Sequence, residues 1–108
     1  MSSPTTCSTH VLDAALGRPA AGLGVVLTDA GGTTLAGTTT DADGRIRFDA
    51  DLAAGTHRLT FATGVWFAAQ DRACFHPEVS VVFTVTDGEH HHVALLLSPF
   101  SYTTYRGS

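Results

Sequence analysis

The sequence has little cysteine: Cys7 and Cys74 are the only two in 108 residues. They form neither a C-x-x-C pair nor a dense framework, which excludes a disulfide-stapled scaffold and leaves two free thiols as the expectation. Basic charge is also sparse. Six Lys and Arg stand singly along the chain against ten acidic residues, for a formal net charge of −4. Such a chain has no electrostatic footprint for a nucleic acid or an anionic membrane surface, so neither partner is expected. No apolar run approaches the roughly 20 residues of a membrane-spanning helix. The opening MSSPTTCST lacks the basic start and apolar stretch of a secretory signal, so a cytoplasmic location is expected. Neither a G-x-S-x-G elbow, a phosphate-cradling glycine loop nor an H-E-x-x-H pair occurs, which removes support for covalent serine catalysis, nucleotide binding and a zincin-type centre.

What is present is material for one packed core. The composition is 44% hydrophobic and 15% charged, which argues against disorder, and the length suits one domain. With no linker, repeat or low-complexity stretch, residues 7–108 read as that domain and residues 1–6 as a flexible N-terminus. Period-two alternation recurs in eight short runs, at 7–14, 23–30, 33–40, 45–49, 56–62, 78–85, 91–97 and 101–105. Turn formers such as GRPA, DAGG, DADG and TDGE separate them. This spacing predicts an all-β fold, an antiparallel two-sheet β-sandwich of about eight strands. The segment FATGVWFAAQDR (61–72) differs in its Ala, Gln and aromatic content and predicts one short helix.

Alternation also sorts side chains by face. In the seventh run His91, Val93, Leu95 and Leu97 make the more continuous apolar set and are expected in the core, which leaves His92, Ala94 and Leu96 on the outer face. In the first run His10 and Leu12 likewise oppose Val11 and Asp13. Two strands therefore each present a histidine beside apolar neighbours on an outer face, the kind of surface that forms a subunit contact or a ligand groove. Imidazoles held there could serve as base and acid in a hydrolysis; the plainer reading of each is a sheet residue with a satisfied hydrogen bond. The triple His90-His91-His92 invites a metal, yet only His90 and His92 share a face and no third ligand pattern accompanies them, so no functional metal is expected. Asp43-Gly44 is a strong turn signal. It puts Arg45 at a strand end, either as a solvated arginine or as a guanidinium fork for a carbonyl-rich ligand. Arg106 admits the same two readings.

Taken together, STHVLDAALGRPAAG, TDADGRI, RLTFATGVWF, HPEVSVVFTV, HHVALLLSPF and the terminal TYRGS make the chain similar to the 5-hydroxyisourate hydrolases of the transthyretin-related family, from about residue 7 to the end. The ending is the most specific part of the likeness. The resemblance implies a transthyretin-like sandwich, a homotetramer built as a dimer of dimers, and active sites in the channel between the dimers. It implies hydrolysis of the small-molecule substrate 5-hydroxyisourate to 2-oxo-4-hydroxy-4-carboxy-5-ureidoimidazoline, without metal or cofactor. Carried over by motif, His10, Arg45, His92 and Ser108 are the expected catalytic residues, and Tyr105 joins His10, Arg45 and Ser108 in binding substrate. Four positions depart from the family pattern: His91 replaces a tyrosine, Ala94 a proline, Thr103 a serine and Trp66 a tyrosine. None removes a catalytic group. His91 bears on packing and Ala94 on the pocket floor. Transthyretin shares the fold and the LLSP segment without the catalytic histidines, the arginine or the YRGS ending. A carrier of a small aromatic molecule is thus the alternative to an enzyme, and a hydrolase of a related cyclic ureide is a third possibility.

Overall fold

The computed structural model describes residues 3–108; Met1 and Ser2, within the expected flexible N-terminus, lie outside the described residues. Among the described residues the chain runs β1 (Thr6–Asp13), β2 (Arg18–Pro19), β3 (Gly24–Asp29), β4 (Thr34–Thr39), β5 (Arg45–Phe48), β6 (Gly55–Phe61), α1 (Thr63–Ala68), β7 (Val79–Val85), β8 (His90–Leu97) and β9 (Tyr102–Gly107). Each of the eight alternating runs is a strand. The ninth strand, β2, has two residues and is too short to carry a period. The expected domain start at residue 7 falls inside β1, and Thr5 just before it is buried, its N–H donating to Asp51 and its hydroxyl to Asp87.

Two sheets pack face to face. One has the order β2-β1-β8-β9, with β5 also paired to β1; the other has the order β4-β3-β6-β7. The expectation of a wholly antiparallel sandwich needs one correction: β1 and β8 run parallel, in register from Thr6 opposite His90 to Asp13 opposite Leu97. Parallel neighbours cannot be joined by a hairpin and need a long crossover, and here the whole second sheet lies on the crossover. Nothing in the local pattern of either strand encodes that pairing.

Alternation decides which side chains fill the sandwich. Burial along β1 switches at every residue, with Cys7, Thr9, Val11 and Asp13 inward. Val93, Leu95 and Leu97 of β8 meet Val25, Leu27, Leu59, Phe61 and Val79 of the other sheet in one apolar core. Cys7 is fully buried there, which pushes its thiol up to about 12, and both cysteines are free. The helix is shorter than the segment that predicts it. Its Phe67 is fully buried, and Thr63 anchors its start through a hydroxyl bond to the carbonyl of His76. Just beyond it, Arg72 reaches back to the buried carboxylate of Asp13 at 2.7 Å and stacks over the Phe67 ring at 4.8 Å. That ion pair ties the end of β1 to the helix. No helix among the described residues is long and apolar enough to cross a membrane.

Candidate active site

Four strands bring the expected residues to the outer face of the first sheet. β1 supplies His10, whose cross-strand partners are Arg45 of β5 on one side and Ala94 of β8 on the other. The parallel register of β1 and β8 puts Ser8 beside His92. The antiparallel register of β8 and β9 puts Gly107 opposite His92 and so delivers the chain end to the same place. The His10 and His92 rings lie 6.5 Å apart, centroid to centroid, tilted by 40°, enough to admit a small planar molecule or water to both.

Arg45 is placed by a turn that the sequence announces. The carboxylate of Asp41 accepts the N–H groups of Asp43 and Arg45, each at 2.9 Å, as an Asx-type cap. Gly44 takes φ +74° at the corner, where an added Cβ would collide with the carbonyl of Val11. Only glycine meets both demands. The turn fixes the first residue of β5, and Arg45 is exposed beside the two histidines.

A cleft of about 420 Å³ opens on this face, lined by Ser8, Arg45, Arg47, His90, His92 and Ser108 among others. Three of the four expected catalytic residues line it, and His10 stands at its side through His92. Tyr105 shares the outer face through its pairing with Ala94 but is 54% exposed and does not line the cleft. Arg106 points away: it pairs with Glu89 at 3.1 Å and bonds the carbonyl of His90, the structural reading of that residue.

Sequence reasoning missed Ser8, Arg47 and the second use of His90. The Ser8 hydroxyl lies 2.7 Å from His92 Nδ1 and 2.9 Å from His90 Nε2, while Thr6 Oγ1 is 2.7 Å from His90 Nδ1. The signal was available, because Thr6, Ser8 and His10 alternate on one face of β1; only the register with β8 was not. His91 faces inward as alternation predicts. It is 2% exposed, its Nε2 accepts the N–H of Thr86, and its Nδ1 is 3.0 Å from the carbonyl of Thr6. With Nε2 an acceptor, the proton sits on Nδ1 and donates to that carbonyl, so the departure from tyrosine is absorbed by hydrogen bonds at the start of β8.

The electrostatics favour the neutral forms of His92 and His90. Burial, then the charge of Arg45, then His10 and His90 hold His92 below its ordinary 6.5. Burial followed by Arg47, His91 and Arg106 does the same to His90. A neutral histidine with Nδ1 engaged by Ser8 leaves Nε2 as the nitrogen that can accept a proton from water. The nearby guanidinium of Arg45 can hold a carbonyl oxygen and the negative charge that develops on it.

A sequence model of the HIUase/Transthyretin family matches residues 7–107. The 5-hydroxyisourate hydrolase of Caulobacter vibrioides is 46% identical, over 94% of this chain and 96% of its own length. The solved structure of Klebsiella pneumoniae 5-hydroxyisourate hydrolase superposes with a TM-score of 0.89 at 42% identity, covering 96% of this chain and 100% of that one. Transthyretin from Sparus aurata superposes with a TM-score of 0.84 at 35% identity, covering 94% of this chain and 95% of its own. The two-sheet fold described above is thus shared with these solved structures, and this chain belongs to the HIUase/transthyretin family.

Proposed function

We propose that the chain is a 5-hydroxyisourate hydrolase of urate degradation, opening the cyclic amide of its substrate by attack of water to give 2-oxo-4-hydroxy-4-carboxy-5-ureidoimidazoline. The observation that carries the reading is the convergence of His92, Arg45 and Ser108 on one cleft with His10 at its side. In transthyretin-like carriers these are the groups expected to be missing, whereas here each has a place in a hydrolysis. His92, or His10 across 6.5 Å, takes the proton of the attacking water and the other imidazole orients the substrate. Arg45 grips the carbonyl-rich edge and stabilises the tetrahedral oxyanion, an effect worth roughly 3 kcal/mol for one well-placed donor. Ser108 lines the cleft and offers its hydroxyl to water or substrate, and Tyr105 extends the face on which substrate rests. The donor set is that of acid–base and oxyanion chemistry and calls for no metal or cofactor.

We extend the proposal to a homotetramer made as a dimer of dimers. Its supports are the open edges of β7 and β9, which end their sheets, and the exposed apolar side chains of Leu16 and Tyr105. Unpaired cysteines fit a reducing compartment, in keeping with a cytoplasmic location.

The test is spectrophotometric. Urate and urate oxidase generate 5-hydroxyisourate, and its ultraviolet absorbance is followed with and without the protein. Decay well above the spontaneous rate is the expected result. Tight binding of the substrate with decay at the spontaneous rate would establish the carrier instead.

A further inference from the structure

The hydrogen bonds around His92 do not stop at one partner. Thr6 Oγ1, His90, Ser8 Oγ and His92 form a continuous row in which hydroxyl and imidazole alternate, with successive separations of 2.7, 2.9 and 2.7 Å. The row follows from the parallel register: Thr6 pairs with His90 and Ser8 with His92, so β1 contributes every hydroxyl and β8 every ring. Its inner end is the half-buried His92 over the cleft and its outer end is the exposed His90. Both ring nitrogens of His90 and one of His92 are engaged, which leaves His92 Nε2 as the nitrogen free to meet water or substrate. A structural ladder needs only donors and acceptors; this one is made wholly of groups that can both give and receive a proton.

We propose that Ser8 and His90 form a proton relay that lets His92 act first as base and then as acid while staying electrically neutral. The inference rests on the hydrolase reading. In the starting state His92 carries its proton on Nδ1, donated to Ser8 Oγ. Water gives a proton to His92 Nε2 as its oxygen bonds to the substrate carbonyl carbon; at the same moment Nδ1 passes its proton to Ser8, Ser8 passes one to His90 Nε2, and His90 passes one from Nδ1 to Thr6 Oγ1, which releases its own to solvent. His92 is now neutral with the proton on Nε2. When the carbon–nitrogen bond breaks, that proton goes to the leaving nitrogen, and the row runs inward from solvent through His90 and Ser8 to restore Nδ1–H. The hydroxide of water ends on carbon and its proton on nitrogen; the new carboxylic acid ionises to solvent.

The charges around the row explain why neutrality is useful. Arg45 on β5 and His10 on β1 face His92; Arg47, His91 and Arg106 surround His90, with Glu89 engaged by Arg106. An imidazolium at either ring would stand among cations, at a cost that a charge-free relay avoids.

Ser8 and His90 are therefore positioning and relay residues, and three variants separate relay from mere support. Ser8→Ala breaks the row, while Ser8→Thr keeps the hydroxyl. His90→Gln keeps an amide to bond Ser8 but cannot pass a proton. Steady-state kinetics on 5-hydroxyisourate in mixtures of H₂O and D₂O are the measurement. The expected result is a kcat lower by about tenfold or more in Ser8→Ala and His90→Gln, with KM within about twofold. Their proton inventories become linear where the wild-type curve is bowed, and Ser8→Thr behaves as wild type. A His90→Gln variant with wild-type kcat and a bowed inventory overturns the relay and leaves the hydrolase standing. Wild-type protein that fails to accelerate decay overturns both.

Discussion

His92 and Gly107 are cross-strand partners, and the His92 imidazole occupies the space that a Cβ on residue 107 would need. The glycine of the terminal YRGS is thus a platform. Its missing side chain lets the ring lie against β9, with Cδ2 the ring atom closest to the position that a 107 Cβ would take.

Gly107→Ala is expected to fold and fail. Moving the ring off its rotamer costs on the order of 1 kcal/mol, and a displaced reacting group loses roughly 100-fold in rate. Turnover should fall by about 10- to 100-fold with the far-ultraviolet circular dichroism of the sandwich unchanged; wild-type turnover would show that the ring has another place to go.

Replacing the cleft residues should separate chemistry from stability, because each lies on the outer face and none fills the core. His92→Ala and His10→Ala are expected to lower kcat by roughly 100- to 10,000-fold, and Arg45→Ala by roughly 100- to 1,000-fold. Arg45→Lys should recover only part of that, since an ammonium lacks the guanidinium fork. A chain ending at Gly107 should also be impaired. Wild-type decay of 5-hydroxyisourate in any two of the three alanine variants would remove the site assignment.

Acidity gives a directional test. His92 is held below 6.5, by burial first and by Arg45 next, so the free enzyme should keep its base through neutral pH and lose kcat/KM only at a pH below 6.5. Titration of the His92 ring followed by NMR should show a midpoint under 6.5 that rises in Arg45→Gln. The sign for stability is the same. The unfolded chain takes up protons at 6.5 that folded His92 and His90 still refuse, so stability falls as pH drops from 6.5 toward their folded values and then levels. A midpoint above 6.5 would contradict both statements.

The Asp13–Arg72 pair makes a prediction about the fold alone. Burial pushes the Asp13 carboxyl up, but the bonds from Arg72 and from the Leu16 N–H, together with the Arg72 charge, outweigh it and hold the group below its ordinary 3.8. Its contribution is present above 3.8 and lost as pH falls below that. With the Asp13 side chain 1% exposed and that of Arg72 18% exposed, Asp13→Asn leaves a half-buried guanidinium without its counter-charge and should cost about 1 to 3 kcal/mol in urea denaturation. A cost under about 1 kcal/mol would mean that water reaches Arg72.

Most of the fold was legible, because it is written in local periods. Alternation located eight strands, separated His91 from His92, and put His10 on the outer face; Asp43-Gly44 located the turn that presents Arg45. What stayed hidden was register between distant segments. The Ser8–His92 bond joins residues 84 apart and the Asp13–Arg72 pair residues 59 apart, and a two-residue period carries no information about which strand lies alongside. For the same reason Gly107 read as part of a motif and not as the floor beneath an imidazole. The family likeness supplied the catalytic quartet, but not Ser8, Arg47 or the engaged ring of His90, which only the paired strands display.

The parallel pairing of β1 with β8 also orders events in time. During synthesis β1 leaves the ribosome before the second sheet and β8 after it, so one flank of β1 waits unpaired while the second sheet and the helix are made. His10 and Ser8 exist for most of that interval as parts of no site. Long-range pairing of this kind slows folding and leaves an open edge exposed until it closes. The proposed active face is consequently completed only once β8 and β9 have followed, and a nascent product that stops short of them carries the histidine of β1 without its partners.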